Sequence, residues 1–453
     1  MAKLVVHEIN SDNQKAFRQF TNREESIKAY TDCLKSPRRD DLPKVLVFYG
    51  VGGIGKTALR LHLMKKSSEI SKHALIMAYD FKQLSHRSSI NCLQSLRTQF
   101  CSVANLSFPR YDAAHEIYWE KARSDEEMKS SSKLDSKVAD YVADVTSILG
   151  VPGGLILRIL RDGIIALQKN KAIRSIEILK RLPNMEPQQI VDLMPALWAA
   201  DCQDFLLSNP DSRPVFFLDT YEALSEGYQT EGFEENRDVW VRDMIGSLPQ
   251  ALWIICGREK LNWSKNNSEW EKCLEQHLIE ALAKEDSQRF LKGAGIYKQE
   301  IIDEIVHASK GYPFYLDLSC DLYNEILESR PPIKEDFGET PSDIYSRFTY
   351  YLQDPKRLSE LETLRLLSCS FIWDELIFSR IIKTFSTGYP ETAFDKITRF
   401  SFINRIDDSY YQMHEIMRDS LQNDLKSTNS NVFIRVHKYL FNEIKNSIYE
   451  PHD

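Results

Sequence analysis

The run from Gly50 to Thr57 has the residue types and spacing of a phosphate-binding loop. It consists of Gly50, Val51, Gly52, Gly53, Ile54, Gly55, Lys56 and Thr57, which match the pattern G-x-x-x-x-G-K-[ST]. Glycines let the backbone wrap around a diphosphate, so that N–H groups and a helix N-terminus point at its oxygens. We expect this run and Ala58 to bind a nucleotide, with Lys56 at the β- and γ-phosphates and Thr57 on Mg²⁺. A glycine-rich turn without a ligand is the alternative.

An acidic residue at the end of another apolar run could act on the metal. Residues 215–219 read Val-Phe-Phe-Leu-Asp, and a hard cation such as Mg²⁺ prefers oxygen ligands and water. We expect Asp219 to bind the metal directly or through the ligands around it. Glu222 could polarise an attacking water, although an acid stabilised by the dipole at a helix N-terminus would give the same pattern.

An arginine follows a further apolar run, in the order Cys256, Gly257, Arg258, Glu259. This order places Arg258 at the carboxyl edge of a sheet, where ligands of open α/β sheets bind. A guanidinium suits phosphate, so Arg258 is a candidate sensor of the γ-phosphate. An ion pair of Arg258 with Glu259 or Asp219 is the structural alternative.

Strands must position these residues, and we expect them in four apolar runs. The runs begin at Lys44, His73, Pro214 and Leu252, and helical patterns separate them. Short buried strands that alternate with helices are typical of a parallel α/β sheet. The region from about Ala122 to Pro210 contains no comparable run, so we expect inserted helices there.

Beyond Lys284 the apolar spacing is that of helices, and residues 330–341 have the proline and charge of a linker. Three short helical patterns follow, then two short strands around Asp407 and Asp408, which together indicate a winged helix. The sequence thus predicts an α/β P-loop NTPase fold followed by an all-α lid and a winged helix. The predicted boundaries are an N-terminal segment 1–43, a nucleotide-binding domain 44–283 with a helical insertion at about 120–210, a lid 284–340, and a winged-helix domain with a C-terminal helix 341–453.

The composition is that of an ordinary folded protein. The chain has 453 residues, of which 42% are hydrophobic and 27% charged, and this length suggests about three domains. A net charge of -8 argues against a protein that coats nucleic acid or anionic membranes through bulk electrostatics. The sequence has eight cysteines without a C-x-x-C pair, and it lacks a signal peptide and a membrane-spanning apolar run, which favours the cytoplasm.

In the order and spacing of its motifs the chain resembles the STAND class of P-loop NTPases, which includes the NB-ARC and NACHT switch proteins. The resemblance covers nearly the whole chain. It puts the Walker A motif on residues 50–57, the Walker B motif on residues 215–219 and the sensor arginine on Arg258. The segment at residues 20–25, Phe-Thr-Asn-Arg-Glu-Glu, is similar to the family's F-x-x-R-E-x-E and implies that Arg23 lies near the adenine.

Two later motifs of that family have counterparts in this chain. Gly311-Tyr312-Pro313 resembles the Gly-x-Pro motif, which implies that Pro313 packs on the adenine from the lid. Met413-His414-Glu415 resembles the MHD motif, which implies that His414 contacts the β-phosphate of ADP and holds a closed state. The chain departs from the family at residues 218–222, which lack the paired acids of NB-ARC or NACHT proteins, and at Glu415, which replaces an aspartate.

The resemblance implies an ATP-hydrolysing switch whose hydrolysis is slow and regulatory. ADP would hold the chain closed, and exchange for ATP would allow self-assembly that activates an attached or partner effector. A sensor domain or protein would supply the trigger. Bacterial defence, cell death and regulated transcription are the roles that the resemblance implies.

Two other functions stay open at the level of sequence. A DNA-binding regulator would use the winged helix, but the candidate recognition helix at residues 391–400 balances two cationic against two anionic side chains, which gives little attraction for DNA phosphates. A housekeeping ATPase is the second. The basic run at residues 158–181 could contact a membrane surface or nucleic acid, although such runs are more often a solvated helix face.

Overall fold

The computed structural model describes residues 23–104, 106–123, 178–225, 237–265, 267–355, 357–406 and 409–449. Its contacts divide them into two compact units. The first contains Glu24–Gly50 and Lys56–Leu278, and the second contains Arg23, Val51–Gly55 and the residues from Ile279 onward. Several sequence predictions lie outside the described residues: the Phe20 end of the N-terminal motif, residues 124–177 of the insertion with most of the basic run 158–181, and the turn at Asp407 and Asp408.

A five-stranded parallel sheet forms the centre of the first unit. Its strands are β1 (Lys44–Tyr49), β2 (Ala74–Asp80), β3 (Arg213–Asp219), β4 (Leu252–Gly257) and β5 (Leu274–Leu278). They are arranged in the order β2-β3-β4-β1-β5, and every paired strand is parallel to its neighbour. The first four strands match the predicted apolar runs. The fifth was not predicted, because this edge strand reads Leu-Glu-Gln-His-Leu and has no apolar run.

Helices cover the sheet and explain its continuous apolar runs, since a parallel sheet buries both of its faces. The helices of this unit are α1 (Glu24–Lys35), α2 (Lys56–Ile70), α3 (Ser89–Ala104), α4 (Pro109–Arg123), α5 (Pro187–Ser208), α6 (Val239–Ser247) and the single turn α7 (Trp270–Cys273). All residues of β3 and β4 are buried. Large rings pack between them, and Phe216 stacks on Trp253 with centroids 4.3 Å apart.

The strand order brings three carboxyl ends together at one edge of the sheet. Strand β4 lies between β1 and β3, so the segments that follow Tyr49, Asp219 and Gly257 are neighbours. The N–H of Gly50 donates to the carbonyl of Gly257 at 3.2 Å, which joins the start of the glycine-rich loop to the end of β4. This edge is where the sequence analysis placed the nucleotide.

The second unit is helical apart from one hairpin. Its helices are α8 (Lys284–Gly293), α9 (Gln299–Ser309), α10 (Pro313–Leu327), α11 (Pro341–Leu352), α12 (Leu358–Ser368), α13 (Glu375–Phe385), α14 (Phe394–Thr398), α15 (Glu415–Thr428) and α16 (Ser430–Tyr449). Strands β6 (Ile403–Arg405) and β7 (Tyr411–Met413) pair antiparallel. Three short helices followed by a hairpin form the predicted winged helix.

One hydrophobic core runs through the second unit, from the helices of residues 284–327 to the winged helix. Phe348 lies 5.6 Å from both Phe400 and Phe402 by ring centroids, which packs α11 onto the start of the hairpin. The architecture is therefore an α/β P-loop NTPase fold followed by an all-α region and a winged helix, and the predicted fold class is confirmed. The predicted domain boundaries stay predictions.

In the part of the chain that the structure describes, no helix combines the length and the apolarity needed to cross a membrane.

Candidate nucleotide site

A hydroxyl and a carboxylate meet at the carboxyl edge of the sheet. The Oγ1 of Thr57 donates a hydrogen bond to Oδ2 of Asp219 at 2.9 Å. Asp219 is only 2% exposed, and its Oδ1 accepts a hydrogen bond from the N–H of Thr220 at 2.9 Å. The sequence placed both residues on the same metal ion, and the structure brings their oxygens together.

Asp219 has a further partner that the sequence analysis missed. The Nε of Arg60 donates to the same Oδ2 at 2.9 Å, and the arginine side chain is largely buried. Arg60 and Thr57 are three residues apart on α2, so they share one face of that helix. Helical spacing alone would have put Arg60 beside Thr57, but the identity of its partner requires the packing of α2 against β3.

The Lys56 ammonium folds back onto its own loop. Its Nζ donates to the carbonyl of Gly50 at 2.6 Å. Burial lowers the pKa of Lys56, while the carboxylates of Glu222 and Asp219 raise it. Lys56 thus faces two acids at the strand ends, and it would have to leave the Gly50 carbonyl to contact a phosphate.

Arg258 forms an ion pair with Glu222, a partner that the sequence analysis did not name. The Nε of Arg258 lies 3.1 Å from Oε1 of Glu222. Burial raises the pKa of Glu222, and the charges of Lys56 and Arg258 lower it. Oε2 of Glu222 is buried and has no hydrogen-bond partner among the described residues.

These residues fit a magnesium nucleotide. Thr57 and Asp219 supply adjacent oxygen atoms of the type that Mg²⁺ takes from proteins, and the metal retains several water ligands in such sites. The carboxylate of Glu222 lies among these groups, paired with Arg258. Lys56 and Arg258 supply the positive charge that phosphates require.

The middle of the glycine-rich loop packs within the second unit. Gly53 has φ +75°, in the left-handed region, and a Cβ there would lie 2.7 Å from Cδ1 of Ile416 and 3.1 Å from Cβ of Phe314. The N–H of Phe314 reaches the carbonyl of Gly53 at 3.4 Å. A Cβ on Gly55 would lie 3.8 Å from Cγ of Pro313, whereas one on Gly52 would meet no atom within 4 Å. A side chain at position 53 would be strained by this φ and would require the end of the Ile416 side chain to shift.

Arg23 also contacts this loop within the second unit. Its two terminal nitrogens donate to the carbonyls of Ile54 at 2.9 Å and Glu280 at 2.8 Å. Burial lowers the pKa of Arg23, and the carboxylates of Asp286 and Glu280 raise it. Arg23 thus holds the loop backbone, and its predicted place near the adenine stays a prediction.

His414 lies at the start of helix α15, and its ring stacks on Phe314 with centroids 4.5 Å apart. Its Nδ1 accepts a hydrogen bond from the N–H of Ile416 at 3.3 Å, so the histidine caps the helix. A neutral ring that accepts at Nδ1 carries its proton on Nε2. The predicted contact of His414 with the β-phosphate would therefore use Nε2 as the donor, and that contact stays a prediction.

The candidate recognition helix of the winged helix is short. It spans five residues, Phe394–Thr398, and follows a single 3₁₀ turn. Glu391, one of its predicted acids, accepts hydrogen bonds from Ser379 and pairs with Lys383. Lys383 thus neutralises one of the two predicted acids.

No family model matches the chain, and no curated protein matches it. Solved structures with a distant likeness include the Aeropyrum pernix ORC1 protein in complex with DNA, which is 11% identical with a TM-score of 0.38 over 93% of this chain and 96% of that chain. A Walker-type ATPase of Pyrococcus abyssi is 13% identical, with a TM-score of 0.35 over 89% and 96% of the two chains. Cdc6p from Pyrobaculum aerophilum is 12% identical, with a TM-score of 0.32 over 92% and 94%. Likenesses this distant carry no information about function.

The loop, the strand-end acid and the parallel sheet together define the class of the protein as a P-loop NTPase. The loop follows β1, Asp219 ends β3, and β4 lies between the two strands. Membership of the STAND class is a finer statement and rests on the proposal below.

Proposed function

We propose that this chain is the nucleotide-binding switch of a STAND-class ATPase that acts in the cytoplasm. It binds ADP or ATP with Mg²⁺, assembles with further copies of itself when ATP replaces ADP, and thereby activates an attached or partner effector. Bacterial defence is a role of this kind. A sensor domain or partner supplies the trigger.

The observation that carries this proposal is the packing around Gly53. The lid residue Phe314 and the α15 residue Ile416 both contact this glycine, and His414 stacks on Phe314. The loop, the lid helix α10 and the residue after the wing therefore share one packed cluster. Because Phe314 and Ile416 pack this closely around Gly53, a loop that changes shape with its nucleotide alters its contacts with α10 and α15.

The chemistry follows from the side chains of the first unit. Lys56 moves from the Gly50 carbonyl to the β- and γ-phosphates, and Thr57 and Asp219 hold Mg²⁺, which supplies charge stabilisation during phosphoryl transfer. Glu222 orients and deprotonates the attacking water. Arg258 pairs with Glu222 and turns toward a third phosphate when one is present.

The test measures the mass of the chain in solution with ADP and with a non-hydrolysable ATP analogue. We expect a monomer with ADP and a larger assembly with the analogue. The variant Lys56→Ala should lose both nucleotide binding and the difference in mass, because no other cation of the loop is placed at the phosphates. The matched control is Lys65→Ala, an exposed lysine on the same helix, which should behave as the parent chain.

Two results would contradict the proposal. One mass with either nucleotide, together with steady hydrolysis, would indicate a housekeeping ATPase. A salt-dependent shift with duplex DNA, without nucleotide-dependent assembly, would indicate a DNA-binding regulator.

A further inference from the structure

A cavity of about 600 Å³ lies at the amino edge of the sheet in the first unit. Its lining includes Lys44 and Arg213, the first residues of β1 and β3, and Pro249, which precedes β4. Asp219 is the last residue of β3, and the glycine-rich loop with Thr57 follows the other end of β1. The cavity is thus separate from the nucleotide site, and its volume is within the range of pockets that hold small ligands.

The cavity is positively charged. Four cationic side chains line it, against two anionic ones: Arg38, Arg39, Lys44 and Arg213 against Asp32 and Glu275. Glu275 is already paired, since its Oε2 lies 2.5 Å from Nζ of Lys44 and its Oε1 lies 3.0 Å from Nε2 of His277. Among the described residues that line the cavity, the exposed Asp32 is then the remaining acid beside three arginines.

The burial and the weak hydrogen bonding of Arg213 point to an anion as its partner. It is 6% exposed, and its Nε is buried without a hydrogen-bond partner among the described residues. Within the part of the chain that the structure describes, its other nitrogens donate to two distant carbonyls, those of Gln250 at 3.4 Å and Cys33 at 3.5 Å. Burial lowers the pKa of Arg213, and the charge of Arg38 lowers it further. A buried guanidinium with no carboxylate partner is costly to maintain, and a bound anion would offset that cost.

The wall between the arginines is apolar. Ala29 from α1, together with Pro37 and Pro249, contributes carbon surface to the same cavity. Arg38 is fixed beside Arg213, because its NH1 donates to the carbonyl of Ser212 at 3.1 Å. The cavity thus combines two neighbouring guanidinium groups with an apolar wall, which suits a small organic molecule that carries a phosphate group.

We propose that this cavity binds a small phosphorylated compound, with the phosphate between Arg213 and Arg38 and the organic part against the apolar wall. Guanidinium groups bind phosphate oxygens in a bidentate manner, and a phosphate between Arg213 and Arg38 would supply the negative charge that these two cations lack. A nucleic-acid backbone is the less favoured occupant, because it requires cations exposed along a surface and Arg213 is buried.

The experiment uses the full chain with Lys56→Ala, so that the glycine-rich loop does not bind the probe. Sodium pyrophosphate is titrated at constant ionic strength, and its binding is measured by calorimetry. We expect saturable binding, which Arg213→Gln or Arg38→Gln in the same chain weakens by about ten- to a hundredfold, the loss expected for a hydrogen bond between charged groups. The matched control is Lys65→Gln, which removes an exposed positive charge elsewhere in the unit and should leave the affinity unchanged.

Three outcomes overturn the proposal. Absence of binding at millimolar pyrophosphate would do so, and so would equal affinity in all four chains. Binding of a DNA oligonucleotide without binding of pyrophosphate would assign the arginines to nucleic acid instead. If Arg213→Gln does not keep the parent's circular dichroism spectrum and unfolding temperature, the affinity of the Arg38→Gln variant decides the test, because Arg38 is only half-buried. Because every chain carries Lys56→Ala, the result does not depend on the proposed nucleotide switch.

Discussion

Asp219 accepts hydrogen bonds from Thr57 and Arg60, two side chains of helix α2. Replacing Asp219 should therefore affect both the proposed metal site at Thr57 and the stability of the buried Arg60. Asp219→Asn keeps the shape of the side chain and removes its charge. We expect this variant to bind ADP much as the parent does but to hydrolyse ATP about a hundredfold more slowly, because the carboxylate acts through Mg²⁺. Rates measured over a range of Mg²⁺ concentrations check this, and undiminished hydrolysis would exclude the metal role.

Asp219→Ala adds a control for stability. It leaves the guanidinium of Arg60 largely buried without its carboxylate, so the free energy of unfolding should fall. Adding Arg60→Ala should recover part of that loss without restoring hydrolysis. The two effects of Asp219 are then separated.

The ion pair between Arg258 and Glu222 predicts a pH effect. A general base must be ionised, and burial raises the pKa of Glu222, so the rate should reach half its maximum above the pH usual for a glutamate. Arg258→Ala removes a charge that lowers this pKa, and the half-maximal pH should move upward. Arg258→Lys retains the charge and should shift the profile less. An unchanged profile in Arg258→Ala would contradict the role of Glu222 as base.

Arg258 also gives a prediction about nucleotide selectivity. Only the triphosphate offers the group that Arg258 is proposed to contact, so Arg258→Ala should lose more affinity for the ATP analogue than for ADP. A hydrogen bond to a charged group contributes about 1.5–3 kcal/mol, which corresponds to a roughly ten- to hundredfold change in the ratio of affinities. Equal loss for both nucleotides would show that Arg258 is structural.

Among the elements, those with strong local patterns were predictable from the sequence. Strands β1 and β4 begin at the expected Lys44 and Leu252, because a doubly covered parallel strand is a continuous apolar run. Strand β5 was not predicted, because it lies at the sheet edge and carries polar residues. Its Glu275 is held by Lys44 of the neighbouring strand, a through-space pair that no periodicity reveals.

In the candidate site, too, the residues within one motif were predictable, whereas the contacts between distant segments were not. The loop and Asp219 follow from motifs within single segments of the chain. The roles of Arg60 and Glu222 as partners of Asp219 and Arg258 depend on which helix packs on which strand end. The packing of Gly53 against Ile416 joins residues separated by most of the chain, and only the fold discloses it.

The turn that begins α10 provides a test at the scale of elements. Gly311 has φ +73°, and a Cβ there would lie 2.2 Å from the carbonyl oxygen of Leu282, whose N–H donates to Gly311. We expect Gly311→Ala to lower the free energy of unfolding by about 2–5 kcal/mol, from backbone strain and overpacking together. The matched control is Gly295→Ala, also left-handed at φ +89° but in open space, which should cost only about 1–2 kcal/mol. Urea unfolding measures both, and equal losses would contradict the packing argument.

At the scale of the molecule, the chain contributes the glycine-rich loop to both units, because residues 51–55 pack with the second unit while Lys56 begins a helix of the first. Under the proposed function, a nucleotide bound at Lys56 would act on a loop whose middle packs against Phe314 of α10 and Ile416 of α15. His414 stacks on Phe314 within that cluster and caps α15. It is the residue through which the proposed switch is best tested.

If His414 donates to the β-phosphate of ADP only in the closed state, removing its ring must shift the equilibrium toward the open state. A hydrogen bond to a charged oxygen contributes about 1.5–3 kcal/mol, so His414→Ala should weaken ADP binding about ten- to a hundredfold and assemble with less ATP analogue. His414→Asn retains a side chain that caps helices well. It therefore separates the effect of losing the N-cap of α15 from the effect of losing the imidazole ring. The control His437→Ala removes an exposed histidine of α16 and should change neither property. Wild-type ADP affinity in His414→Ala, with no gain in assembly as measured by light scattering, would show that the histidine only packs against Phe314.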